Sequence, residues 1–124
     1  MGTLAFDGLV IFCADLERSA QFYEDALGLK RRSSEGDIAL HLPTKGDPEG
    51  AWLLLHQRHD LSPPHYLGYF AVDDVDGMVE RLRSAGYRIS TEPNDQPWGV
   101  REAGVLDPDG YGLTLSAPLP PSGS

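Results

Sequence analysis

Leu106-Asp107-Pro108-Asp109-Gly110-Tyr111-Gly112-Leu113-Thr114-Leu115-Ser116 repeats, 60 residues later, the pattern of Gly46-Asp47-Pro48-Glu49-Gly50-Ala51-Trp52-Leu53-Leu54-Leu55-His56. Asp-Pro-acid-Gly is turn chemistry, with Pro setting the first bend and Gly accepting a positive φ. Each copy reads as a turn feeding a strand, so the chain reads as two versions of one unit.

The correspondence extends outward from these turns. Leu9-Val10-Ile11-Phe12-Cys13 runs through Ala14 into Asp15-Leu16-Glu17-Arg18 and a helix-like stretch ending near Gly28; Leu67-Gly68-Tyr69-Phe70-Ala71-Val72 runs into Asp73-Asp74-Val75-Asp76 and a stretch ending near Gly86. Asp15 and Asp74 stand where a carboxylate caps the free amides of a first turn, and Gly28 and Gly86 stand where helices end. Leu16, Ala20, Tyr23 and Leu27, then Val75, Met78, Val79 and Leu82, supply one apolar stripe to each helix, and the Phe22-Tyr23 pair reads as core. Residues 30–33, 38–42, 87–91 and 100–106 are further strand candidates. The expected fold class is α+β: two tandem βαβββ modules, about residues 4–58 and 65–117, with curved mixed sheets and helices on the outer face. Both lie in a single domain of residues 1–118. The Pro-rich end from Ala117 is expected to be disordered or an edge arm, with a flexible tail over 119–124.

Composition narrows the function. A chain of 124 residues can bury one modest core. The lone Cys13 excludes an internal disulfide and thiol-rich metal sites, and it is expected as a buried strand thiol. Nineteen acidic residues against ten basic ones give a net charge of −9, which disfavours nucleic acid and anionic membrane as partners. A cationic ligand fits that charge better, although solubility alone is served by it. No run approaches the roughly 20 apolar residues of a membrane span, and the start lacks the features of a signal peptide, so a cytoplasmic location is expected.

Asp15-Leu16-Glu17-Arg18-Ser19-Ala20-Gln21-Phe22-Tyr23 with Ala26-Leu27-Gly28, Val72-Asp73-Asp74-Val75-Asp76, Pro97-Trp98-Gly99-Val100-Arg101-Glu102 and Asp107-Pro108-Asp109-Gly110 follow one another across nearly the whole chain. In this order they resemble the vicinal-oxygen-chelate superfamily of glyoxalases, extradiol dioxygenases and antibiotic-binding resistance proteins. The segment from Gln96 to Glu102 looks most like the bleomycin-resistance branch. In the superfamily's enzymes, the resemblance implies, a divalent metal is held by His, Gln or Glu on the first and last strands of each module. Seven residues before Asp15 and Asp74 stand Gly8 and Leu67, and the last-strand positions fall on Leu54 and Thr114. None offers the imidazole or carboxylate such ions require. No metal, cofactor or catalytic residue is therefore expected, and the resemblance points to the metal-free, antibiotic-binding branch, acting as a homodimer.

Alternation along the strands projects a ligand face from those four positions: Gly8, Val10 and Phe12; Trp52, Leu54 and His56; Leu67, Tyr69 and Ala71; Gly112, Thr114 and Ser116. Leu9, Ile11, Phe70, Val72, Leu53 and Leu55 are expected to pack under the helices. Gly8 is expected to open space where the metal ligand would stand. With Trp98 in its Pro-Trp-Gly turn, the ligand-binding residues expected are Phe12, Trp52, Leu54, His56, Leu67, Tyr69, Trp98, Gly112 and Thr114. Arg101 and Glu102 are expected to form a surface pair. His41 has no acidic neighbour in sequence; His59 and His65 flank a linker, and a relocated metal site from these two with His56 is the least favoured reading. The expected function is sequestration of an aromatic or cationic antibiotic or natural product, giving drug resistance. The alternative is a metal-free isomerase, cyclase or lyase with His56 as general base, for which the sequence locates no orienting carboxylate.

Overall fold

The computed structural model describes residues 4–120, apart from the side chains of 48 and 49, and its backbone divides into two compact units at residue 62. The first runs β1 (Gly8–Cys13), α1 (Leu16–Ala20, continuing as a π-helical segment Gln21–Ala26), β2 (Arg31–Glu35), β3 (Asp37–Thr44) and β4 (Asp47–Gln57). The second runs β5 (Tyr66–Ala71), α2 (Val75–Ser84), β6 (Ile89–Asp95), β7 (Val100–Leu106) and β8 (Gly112–Pro118). Each forms a four-stranded mixed sheet, ordered β1-β4-β3-β2 and β5-β8-β7-β6. In each, the first and last strands pair in parallel and the remaining pairs are antiparallel. The twice-repeated βαβββ order is thus present.

Both helices begin as expected. The Asp15 carboxylate accepts from the Arg18 amide at 3.1 Å and Asp74 from the Gly77 amide at 3.0 Å. Gly28 and Gly86 follow the helices with φ of 88° and 92°. Helix α2 buries Val75, Val79 and Leu82 against β6, β7 and β8, with Met78 half-buried. Helix α1 departs from the predicted stripe, burying Ser19, Ala20, Phe22, Tyr23 and Ala26 while Leu16 and Leu27 are only half-buried. The cause is the π-helical segment, where the Leu27 amide reaches back to the Phe22 carbonyl. A wider turn rotates successive side chains less, so adjacent Phe22 and Tyr23 both enter the core, edge to face at 4.9 Å.

Period two then sorts each sheet. Ile11, Cys13, Ile38, Leu40, Leu42, Leu53 and Leu55 are buried in the first module, and Ala103, Val105, Leu113, Leu115 and Ala117 in the second. Leu9, Phe70 and Val72, expected with them, are half-buried. Two local expectations are corrected. The Asp47-Pro48-Glu49-Gly50 motif is not itself a turn: the chain reverses at Lys45-Gly46, Thr44 pairs with Asp47, and β4 has already begun. Only the second copy turns, where the buried Asp107 carboxylate accepts from the amides of Asp109 and Tyr111, each at 2.9 Å. Ala117 and Pro118 belong to β8, paired with Arg101 and Val100, so the chain leaves the sheet later than expected. Of the predicted tail, 121–124 lies outside the described residues.

Arg101 and Glu102 do not pair, because adjacent strand residues point to opposite faces. Arg101 faces the helix, where its guanidinium grips both oxygens of Asp76 at 2.6 and 2.9 Å and Asp95 at 2.8 Å. This fork ties α2 to β7 and holds the Asp76 carboxyl below the usual carboxylate range, chiefly through the Arg101 hydrogen bond. A carboxyl with a lowered folded pKa stabilises fully above its unfolded pKa, and the contribution is lost as pH falls through the folded value. Asp76→Asn is therefore expected to lower the thermal midpoint at neutral pH by no more than a few degrees, since the pair is half-exposed. Melting curves of the two proteins should converge below about pH 4; a gap that persists in acid would show that the charge is not what matters.

Candidate functional site

The face of each sheet turned away from its helix carries the candidate site. In the first module the register sets Gly8 beside Trp52, Val10 beside Leu54 and Phe12 beside His56, with β3 adding Ala39 next to Leu54 and His41 next to Trp52. Phe12 and His56 meet edge to face at 5.9 Å, and the Arg58 guanidinium lies 4.9 Å from the Phe12 ring centre. His56 also finds the carboxylate that the sequence did not locate: its Nδ1 stands 2.9 and 3.0 Å from the two oxygens of Asp37. An ionised carboxylate only accepts, so Nδ1 carries the hydrogen and Nε2 is left as the basic nitrogen.

Gly8 does not open space. A Cβ there would overlap the Trp52 indole and stand 2.5 Å from the Trp52 carbonyl oxygen, so the glycine exists to let that ring close down on β1.

In the second module the expected face slips by one residue at the start of β5 and keeps its place from Tyr69 onward. Tyr66 pairs with Gly112 and Gly68 with Leu113, which leaves Leu67 as the extra residue of a β-bulge, and Gly68 accommodates it with φ of 140°. The position matching Gly8 is therefore Tyr66, not Leu67. Tyr66 Oη meets Thr114 Oγ1 at 2.8 Å, and the Tyr66 and Tyr69 rings lie edge to face at 6.5 Å. Gly112 is the counterpart of Trp52, and a Cβ on it would touch the Tyr66 ring at 3.5 Å. Each module thus sets one glycine against one aromatic ring, on opposite strands of the parallel pair.

Glu102 lies on this same face, paired with Ser116, and is only 8% exposed. It accepts from Trp98 Nε1 at 3.3 Å, and its charge raises the pKa of the Tyr69 hydroxyl. A pocket of about 100 Å³ opens beside it, lined by Thr91, Asn94, Gln96, Gly104 and Thr114. The Trp98 turn is closed by the Gly99 amide on the Gln96 carbonyl at 3.1 Å, which leaves the indole standing out from the protein.

Of the nine expected binding residues, Phe12, Trp52, Leu54 and His56 share the open face of one module, and Tyr69, Gly112 and Thr114 that of the other. Trp98 joins the second group through Glu102. Asp37, Tyr66 and Glu102 were missed. Alternation of Asp37 and Ala39 with buried Ile38 and Leu40 is a signal that could have found Asp37; Tyr66 was hidden by the bulge. None of Gly8, Leu54, Tyr66 and Thr114 offers an imidazole or carboxylate, and the Trp52 ring fills the space over Gly8. These residues do not fit a divalent ion. Among the described residues, no three His, Cys, Asp or Glu side chains stand close enough to hold a metal ion elsewhere, and His65 instead lies beside the Tyr111 ring at 6.1 Å.

Fold and site together define a two-module βαβββ protein whose four metal-ligand positions carry other chemistry. The chain belongs to the Glyoxalase/Bleomycin resistance protein/Dioxygenase superfamily, whose pattern matches residues 5–115. It is 31% identical over 121 residues to the putative glyoxylase CFP32 of Mycobacterium tuberculosis, covering 96% of this chain and 45% of that one. It is 42% identical over 52 residues to the anthracycline biosynthesis protein DnrV of Streptomyces peucetius, covering 42% of this chain and 18% of DnrV. The chain thus spans less than half the length of either relative. A glyoxalase/bleomycin resistance protein/dioxygenase from Nocardioides shares the fold with a TM-score of 0.71 at 23% identity, over all of this chain and 88% of the other.

If Trp52 closes on Gly8 as described, Gly8→Ala is expected to cost about 1–3 kcal/mol in urea unfolding by overpacking. Adding Trp52→Ala should recover only part of that, because the Trp52 carbonyl still crowds the new methyl. Strict additivity of the two losses would show that the ring is elsewhere.

Proposed function

We propose that the chain binds a flat aromatic antibiotic or related natural product and holds it unchanged, giving resistance. The observation that carries this reading is the set of large aromatic side chains left exposed on the open faces, Phe12 (40%), Tyr66 (56%) and Tyr69 (62%), with Trp98 (64%) at the Glu102 pocket, where metal chemistry would need donors. Tyr66 and Tyr69, exposed edge to face on one sheet, suit a planar ligand held by stacking and burial. The likeness to an anthracycline biosynthesis protein supports a polycyclic ligand. Isothermal calorimetry against bleomycin-, mitomycin-, enediyne- and anthracycline-type compounds should find micromolar or tighter binding, about −8 kcal/mol or better, to at least one. Trp98→Ala should weaken it tenfold or more. A folded protein that binds none of them would end the proposal.

A second reading has a specific observation in its favour, the Asp37–His56 pair. An imidazole with a carboxylate on Nδ1 and a basic Nε2 is built to take a proton, as a metal-free isomerase or lyase needs. Under it, mass analysis of an incubated ligand finds a converted product, and His56→Gln stops conversion while leaving binding within a few-fold. Return of every bound compound unchanged by the native protein excludes this reading and keeps the first.

A further inference from the structure

We infer that Glu102 is the anionic receptor for a protonated amine on the bound aromatic compound, so that the ligand class is a planar ring system carrying an ammonium group. This rests on the proposed aromatic binding and narrows it.

The two modules treat one strand position differently. Asp37 stands opposite His56 in the first module as Glu102 stands opposite Ser116 in the second, since the registers of β3 on β4 and β7 on β8 superpose at Ile38–Leu55 and Ala103–Leu115. Asp37 has an imidazole beside it; Ser116 offers Glu102 no such cation. Among the described residues, no Arg, Lys or His pairs with Glu102, and its neighbour Arg101 is spent on Asp76 and Asp95 across the sheet.

A carboxylate buried to this degree is ordinarily matched by a cation, because burial strips it of water. Here one neutral donor, the Trp98 indole, occupies part of its acceptor capacity. The pocket at its side is polar, bordered by the Thr91 and Thr114 hydroxyls, and its volume of about 100 Å³ admits an ammonium head but not a ring system. The Trp98 indole that binds Glu102 and the Tyr69 ring are themselves largely exposed, so the ring to which the amine is attached meets aromatic surface outside the pocket while a cation meets their faces. The net charge of −9 draws such a ligand and repels anionic ones.

The test compares 1-pyrenemethylammonium with 1-pyrenemethanol, which differ only in the charged donor, by fluorescence titration of the intact chain at low salt. The native protein is expected to prefer the ammonium probe by tenfold or more. Glu102→Gln, which keeps an oxygen for Trp98, should bind pyrenemethanol as before and lose the preference. Glu80→Gln, removing the same charge from the exposed face of α2, should retain it. Glu102→Asp, should the Gln variant not fold, keeps the charge one methylene further back and should retain part of the preference. Equal affinity of the native protein for both probes, or an unchanged preference in Glu102→Gln, overturns the inference while leaving aromatic binding intact. Binding of neither probe by the folded protein overturns both.

Discussion

Parallel pairing between the first and last strands of each module governs the rest of the structure. Setting β1 against β4 and β5 against β8 requires the chain to cross over the sheet, and the crossover carries the helix that buries one face. The other face is then exposed by construction, and period two sends every alternate residue of four strands onto it. Because parallel partners project to the same side, the register alone decides which side chains meet: Phe12 with His56, Tyr69 with Thr114. The site is thus a property of strand alignment, and a slip of one residue would empty it.

That dependence explains what could be read in advance. The caps Asp15 and Asp74, the apolar spacing of α2 and the alternating strands β4 and β8 each follow from short-range rules, and the repeat locked them into one order. The failures share a cause, a residue added to or removed from the local count. The bulge at Leu67 shifts the face of β5 by one, so a count of seven from Asp74 lands beside the position it sought. The π-helical segment shifts the buried stripe of α1 by one in the same manner. Pairing of Thr44 with Asp47 draws a turn motif into a strand, because ladder hydrogen bonds there prevail over the local preference of Pro and Gly. Each is settled by tertiary packing, which periodicity cannot report.

The two modules differ in their side chains while their backbones pair alike. One glycine and one aromatic ring face each other in both, but on exchanged strands: the ring rises from β4 in the first module and from β5 in the second. The exchange changes what is displayed. Trp52 is half-buried over Gly8, whereas Tyr66 stays open and spends its hydroxyl on Thr114. The first module therefore closes over Gly8, and the second presents an exposed aromatic surface.

The same divergence sets the electrostatics. A carboxylate on the third strand of each module faces the last strand, and what stands there decides its chemistry. With His56 opposite, Asp37 is compensated from within the chain and fixes an imidazole tautomer. With Ser116 opposite, Glu102 is 8% exposed and has the Trp98 indole, which carries no charge, as its hydrogen-bond donor. Neutral donors relieve the loss of hydration but not the field of the anion, which in a low-dielectric surrounding reaches further than in water. A cation arriving at that point gains most of its attraction from the protein side, since Glu102 has already been desolvated by folding. Under the two proposed readings, the first module acts on a proton and the second holds a charge.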